Sequence, residues 1–117
     1  MEELLNTESV KRVKRIIALK DPSLKILTLN KTAKTAEDAA DALNCNVGAI
    51  VKSLLLRANK DFLICLVAGD KRCSLKKIKK ILKKKDVSMA NANDVKENTG
   101  FSIGGVSPVG HTKKLQL

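Results

Sequence analysis

Residues 50–68 leave the chain little choice. Two apolar stretches, Ile50 to Arg57 and Phe62 to Ala68, are separated only by Ala58-Asn59-Lys60-Asp61, a spacing that predicts an antiparallel hairpin. Alternate side chains of a strand point to opposite faces. The odd positions, Val51, Ser53, Leu55 and Arg57, read as a half-solvated face. The even positions, Ile50, Lys52, Leu54 and Leu56, place one lysine on an otherwise apolar face. Burying an unpaired ammonium is expensive, so Lys52 is expected to meet a ligand or a carboxylate, or to line a pocket. The alternative is that it lies near the strand end and snorkels to water.

Around this hairpin the periodicity predicts an amphipathic helix over residues 9–20, with Val10, Val13, Ile16 and Ile17 on one side and Lys11, Arg12, Lys14 and Arg15 on the other. Asp21-Pro22 ends it, and Leu24 to Leu29 reads as a strand. Thr35-Ala36-Glu37-Asp38 has capping-box spacing, so a second helix should follow, ending near residues 44–46. Its alanine face suggests close packing on a sheet. Ser74 is placed to cap a helix reaching about Lys84, with Leu75, Ile78, Ile81 and Leu82 inward. Val87 to Ala90 is a candidate short strand. Asn93 can cap a brief helix through Glu97, with Gly100 as its C-terminal stop.

From Asn98 to His111, fourteen residues hold four of the six glycines, one of the two prolines and the single histidine. Gly104, Gly105 and Gly110 let a ligand approach the backbone closely, and Pro108 stiffens what the glycines would leave loose. A rigid loop with exposed amides suits binding or polarising a carbonyl or phosphate oxygen. An elaborate turn between strands would also use these residues.

Charge narrows the partner. Lys plus Arg number 23 against 12 Asp plus Glu, a net charge of +11, which favours a polyanion, nucleic acid before membrane surface. Seven lysines fall within residues 76–85. Lys76, Lys77, Lys79, Lys80, Lys83, Lys84 and Lys85 make a continuous positive face whose self-repulsion is better explained by contact with a phosphate backbone. Cys45, Cys65 and Cys73 form neither a C-x-x-C pair nor a zinc pattern, so no metal is expected. Cys65 reads as a core residue and Cys73 as a bystander thiol. Glu2 and Glu3 stand where a signal peptide would be basic, and no apolar run reaches membrane-spanning length. A single cytoplasmic domain over residues 1–117 is therefore expected, with no membrane partner.

The glycine segment lacks the GK[ST] ending of a P-loop and the G-x-G-x-x-G order of a dinucleotide site, so no nucleotide cofactor is expected. Nothing in the spacing favours a triad built on Ser107 and His111. An inward lysine, a stiff amide-rich loop and a polycationic helix would together hold the end of a nucleic acid while water attacks an ester. The alternative is a non-catalytic basic tRNA- or RNA-binding module.

Thr35-Ala36-Glu37-Asp38-Ala39-Ala40, Ile50-Val51-Lys52-Ser53-Leu54, Thr99-Gly100-Phe101 and Gly104-Gly105-Val106-Ser107-Pro108-Val109-Gly110-His111, in this order, closely resemble the YbaK family of aminoacyl-tRNA deacylases. The same domain occurs as the editing insertion of bacterial prolyl-tRNA synthetases. The resemblance implies an α/β fold with a mixed, curved, barrel-like sheet and surrounding helices. It also implies hydrolysis in trans of mischarged aminoacyl-tRNA, mainly proline tRNA carrying alanine, cysteine or a similarly small residue, with prolyl-tRNA synthetase as a protein partner. By position, Lys52 matches the family's key lysine and Ser53 the neighbouring small hydroxyl residue. Gly104, Gly105, Ser107 and Gly110 match the loop that offers amides to the ester, with Ile50, Pro108 and His111 bordering the substrate. The family uses the ribose 2′-hydroxyl and an ordered water, without a covalent intermediate. Its members usually continue past the glycine loop through a strand, an acidic segment with a functional aspartate, and a last strand. A C-terminally shortened domain is expected here, and the aspartate has no counterpart.

Overall fold

The computed structural model describes residues 7–27, 29 and 35–117. Its centre is the predicted hairpin. Strand β1 (Val51–Ala58) pairs antiparallel with β2 (Asp61–Ala68) along its whole length, from Val51 opposite Ala68 to Ala58 opposite Asp61. The two-residue turn places Asn59 at φ 56°, a left-handed conformation that asparagine tolerates better than most residues. Short strand β3 (Val87–Met89) pairs antiparallel with the other edge of β1, but only at Leu56 to Ala58. The sheet order is β2-β1-β3. On the outer edge of β2 a single parallel bridge joins Leu63 to Gln116, with the Ile64 N–H donating to the Gln116 carbonyl at 2.8 Å. The three-stranded sheet itself is wholly antiparallel, and this isolated bridge is its one parallel contact among the described residues, in place of the mixed, barrel-like sheet expected.

Four helices accompany the sheet among the described residues: α1 (Glu8–Lys20), α2 (Ala36–Leu43), α3 (Leu75–Leu82) and α4 (Ala92–Thr99). The α2 and α3 starts follow the predicted caps, with Thr35 Oγ1 and Ser74 Oγ accepting from Asp38 N and Lys77 N. Helix α4 begins at Asn91, not at the expected Asn93: Asn91 Oδ1 accepts from Asp94 N at 2.8 Å, and the helix runs on to Thr99. Gly100 stops it at φ 78°. The strand expected over Leu24 to Leu29 is absent from 24–27. There the Leu24 N–H turns back to the Asp21 carbonyl, and Leu24 and Leu27 remain exposed. Thr28 lies outside the described residues.

Both faces of β1 are covered. On the Leu56 face, Leu56, Ala58 and Val87 are buried beneath Leu75, Ile78 and Leu82 of α3. Ile81 does not join them and is 74% exposed. Leu75, Ile78 and Leu82 follow the i, i+3, i+7 stripe, and Ile81 falls beside it. The odd face is solvated only at its ends, where Val51 is exposed and Arg57 half-buried; Ser53 and Leu55 between them are buried. Leu55 and Ile64 are buried with Ala90 and Val95 of the α4 region, and Phe62, Val106 and Leu115 pack over them.

Helix α2 buries Ala40 and adjoins a 3₁₀ turn, Val47–Ala49, that leads into β1. Gly69 closes this corner. Its N–H donates to the Ile50 carbonyl at 2.7 Å, and a Cβ built there would overlap the Val47 carbonyl oxygen and sit 3.1 Å from Ala36 Cβ. The obstacle is backbone, which cannot swing aside.

Gly69→Ala should therefore lower the unfolding free energy by about 1–3 kcal/mol, measured by urea denaturation. Gly105→Ala, whose Cβ would meet only the Ser102 carbonyl at 3.6 Å, should stay within about 0.5 kcal/mol of the parent.

Candidate functional site

Because β3 reaches only Leu56, the first residues of β1 are left without a strand on that edge among the described residues. A cleft of about 470 Å³ lies there, lined by Ile50 to Leu54, the first turn of α2 (Thr35, Ala36, Glu37 and Ala39), Gly69, Gly104 and Val106. Of the residues expected at a site, Ile50, Lys52, Ser53 and Gly104 meet in it. Gly105, Ser107, Pro108, Gly110 and His111 do not line it.

Lys52 is half-buried and its Nζ donates to the Lys71 carbonyl at 2.6 Å. An ammonium carries three N–H donors, so two remain for a ligand. Neither a carboxylate nor full solvation accounts for Lys52; a backbone carbonyl holds it at the cleft wall. Ser53 is 9% exposed, and its Oγ has no hydrogen-bond partner among the described residues. A buried orphan hydroxyl costs about 1–3 kcal/mol, and in native structures such a group calls for an explanation. Here it borders the cleft. At the start of α2, Thr35 satisfies the Asp38 amide, while the Ala36 and Glu37 amides have no intrahelical acceptor. Gly104, at φ 82° with nothing within 4 Å of a built Cβ, brings bare backbone to the opposite wall. The cleft is thus rich in donors for a carbonyl or phosphate oxygen.

The rest of the glycine segment is held by a residue that sequence reasoning assigned to a solvated face. Arg12 of α1 donates from Nε to the Gly110 carbonyl at 3.0 Å and from Nη2 to the Gly100 carbonyl at 3.3 Å. Its guanidinium lies 5.3 Å from the centre of the Phe101 ring, a cation–π distance. Gly110, at φ 80°, packs so close to α1 that a Cβ would lie 3.2 Å from Val13. His111 stands edge-on to Phe101 at 6.2 Å, and its Nε2 contacts the Ser107 carbonyl at 2.7 Å. A carbonyl only accepts, so Nε2 is the donor and cannot serve as a base on Ser107. Ser107 Oγ itself accepts from the Val109 N–H. Beneath, the fully buried Thr99 donates to the Val95 carbonyl and accepts from the Phe101 N–H. The only advance signal for Arg12 was an arginine among lysines on an amphipathic helix, which does not separate a clamp from a solvated charge.

On α3, Lys76, Lys77, Lys79, Lys80 and the left-handed C-cap Lys83 are exposed. Lys84 is half-buried and pairs with Asp61 at 3.6 Å, so it is committed within the fold. Arg57 and Asp86 form a two-pronged pair at 3.0 and 3.1 Å that holds the Asp86 carboxyl below its ordinary range. No group of three or more His, Cys, Asp or Glu side chains among the described residues could hold a metal ion. No described helix is long and apolar enough to cross a membrane.

Arg12→Ala should destabilise the chain by about 1–2 kcal/mol and speed hydrogen exchange at the Thr112 amide, which donates to the Thr99 carbonyl. Arg12→Lys should recover only part of the loss, because a point charge cannot make the fork. Equal stability of all three chains would show that the clamp carries no energy.

Comparison with known proteins places this geometry. Residues 30–117 match the sequence pattern of the aminoacyl-tRNA editing domain. A proline–tRNA ligase of Kosmotoga olearia is 37% identical over 84 residues, 72% of this chain but only 14% of that enzyme. A candidate Cys-tRNA(Pro)/Cys-tRNA(Cys) deacylase of Enterococcus faecalis is 33% identical over 82 residues, 69% of this chain and 50% of that protein. The crystal structure of a candidate trans-editing enzyme for prolyl-tRNA synthetase superposes with a TM-score of 0.85 at 36% identity, over 93% of this chain and 69% of the other. With the family's pattern spanning most of its length, this chain belongs to the aminoacyl-tRNA editing domain family.

Proposed function

We propose that this chain is a trans-acting deacylase, cleaving the ester that joins a wrong amino acid to tRNA. The preferred substrate is proline tRNA carrying alanine, cysteine or a similarly small residue, released by prolyl-tRNA synthetase in the cytoplasm. The observation that carries the reading is the meeting of Lys52, Ser53 and Gly104 in one cleft of about 470 Å³, a size typical of small-molecule sites. The relatives named above, among them synthetases that act on proline tRNA, supply the substrate class.

In this reading the free N–H donors of Lys52 meet the terminal phosphate or ribose of the tRNA. The Ser53 hydroxyl and the bare backbone at Gly104 face the aminoacyl group. As water attacks the ester carbonyl, charge builds on its oxygen, and preorganised donors lower the barrier because they need no reorientation. The proton of the water goes to the leaving ribose oxygen, within the substrate's own 2′,3′-diol. His111 does not line the cleft, so no side-chain base is assigned. Gly105, Ser107, Pro108, Gly110 and His111 act by holding Gly104 in place.

The exposed lysines of α3 are the proposed contact for the tRNA backbone, with Lys76, Lys77, Lys79, Lys80 and Lys83 contributing more than Lys84, which already has an acidic partner.

Two outcomes are expected. Lys52→Ala should lower kcat/KM for deacylation of alanyl- and cysteinyl-tRNA(Pro) by about 10²–10³-fold while keeping most tRNA affinity; unchanged turnover would remove Lys52 from the site. Replacing Lys76, Lys77, Lys79 and Lys80 by glutamine should weaken tRNA binding. It should also flatten the dependence of log Kd on log salt concentration by about one for each phosphate that these lysines neutralise. An unchanged slope would place the tRNA on another face.

A further inference from the structure

Two of the three cysteines come together in the fold. Cys65 lies on β2 opposite Leu54, and Cys73 immediately precedes Ser74, the N-cap of α3. Both are half-buried free thiols packed against the Leu56 cluster, and the Cys73 thiol donates to the Cys65 sulfur at 3.9 Å. The third, Cys45, is exposed. A disulfide requires sulfurs at about 2.05 Å, so closing the pair needs a movement of about 2 Å. Cys65 is fixed in the β-ladder, whereas residues 72–74 belong to no helix or strand. The movement therefore falls on the 71–74 segment, and the Lys71 carbonyl that holds the Lys52 ammonium lies within it.

We propose that Cys65 and Cys73 are a reversible oxidation site for peroxides, and that the disulfide they form withdraws the Lys71 carbonyl from Lys52. The Cys65 sulfur, as thiolate, attacks one peroxide oxygen. An S–O bond forms, the O–O bond breaks, and hydroxide leaves to be protonated to water. The Cys73 sulfur then attacks the resulting sulfenic acid, forming the S–S bond as the S–O bond breaks and a second water departs with the Cys73 proton. Two thiols and one hydrogen peroxide give one disulfide and two waters. Burial pushes the Cys73 thiol up, reinforced by its Cys65 neighbour and opposed by the nearby Lys52 charge, so Cys73 keeps its proton until that proton leaves with the second water. Reduction by a small thiol returns the pair.

The disulfide and its effect on Lys52 can be tested without tRNA; only the meaning of Lys52 as part of a deacylase site rests on the proposed function. In a Cys45→Ser chain, one equivalent of hydrogen peroxide should remove both remaining thiols, lower the intact mass by two hydrogen atoms without dimer formation, and be reversed by dithiothreitol. Cys65→Ser or Cys73→Ser in that background should abolish the mass change. Acetylation of Lys52 by acetic anhydride, read by peptide mass spectrometry, should rise about fivefold or more in the oxidised chain as the hydrogen bond is broken. Oxidation to sulfinic acid or to linked dimers would overturn the site. An intramolecular disulfide with unchanged Lys52 reactivity would overturn its coupling to the cleft. A chain inactive in deacylation both reduced and oxidised would count against the deacylase reading alone, since the mass and labelling results stand by themselves.

Discussion

The pairing of β1 with β2 over eight residues, and with β3 over only the last three, governs the rest of the molecule. Where β1 is flanked on both edges and just before, it carries the core, with Leu55 and Leu56 buried on opposite faces. Where β3 stops short, the same strand becomes the wall of a cleft. Lys52 and Ser53 are consecutive and so project to opposite sides; a site using both has to sit across the end of a strand. The α2 start and Gly104 close around that end from two directions. The glycine at 69 lets the corner close, since nothing larger fits between the Val47 carbonyl and Ala36.

The charge excess divides into cations that the fold uses and cations that it leaves free. Arg12 and Lys52 donate to backbone carbonyls distant in sequence, and Arg57 pairs with the Asp86 carboxylate 29 positions away. Lys84 and Lys113 have acidic neighbours. The exposed lysines of α3 have no such role in the described structure, and their mutual repulsion is tolerated because Leu75, Ile78 and Leu82 anchor the opposite side of the helix. Apolar burial thus sustains a face that electrostatics alone would disfavour.

Much of the fold was legible in the sequence wherever the signal was local. The hairpin followed from two apolar runs and a short turn, the α2 and α3 starts from a hydroxyl three residues before a free amide, and the stop at Gly100 from a glycine after a helical stretch. Lys52 stood out because a lysine on an apolar face needs a reason. What the sequence did not show is what depends on distant partners. Arg12 looked like its lysine neighbours, and only the approach of Gly100 and Gly110 makes it a clamp. Alternation from Val51 to Arg57 suggested an evenly half-solvated face, because period-two polarity cannot reveal that α4 and Val106 pack over Leu55 in its middle. Leu24 to Leu27 had strand-like composition but pair with no strand among the described residues. The meeting of Cys65 and Cys73 required the turn between β2 and α3, which no spacing rule supplies.

The contact between Arg12 and Gly110 spans 98 positions, nearly the whole chain, whereas the hairpin closes through a two-residue turn. Bringing ends so far apart together costs loop entropy that a hairpin does not pay, and contacts of long sequence separation form late in folding. The clasp is thus the more demanding closure and the hairpin the easier one. The glycine segment beside the cleft depends on the more demanding of the two. Arg12 and Gly110 do not line the cleft, yet their contact orders the segment whose Gly104 does.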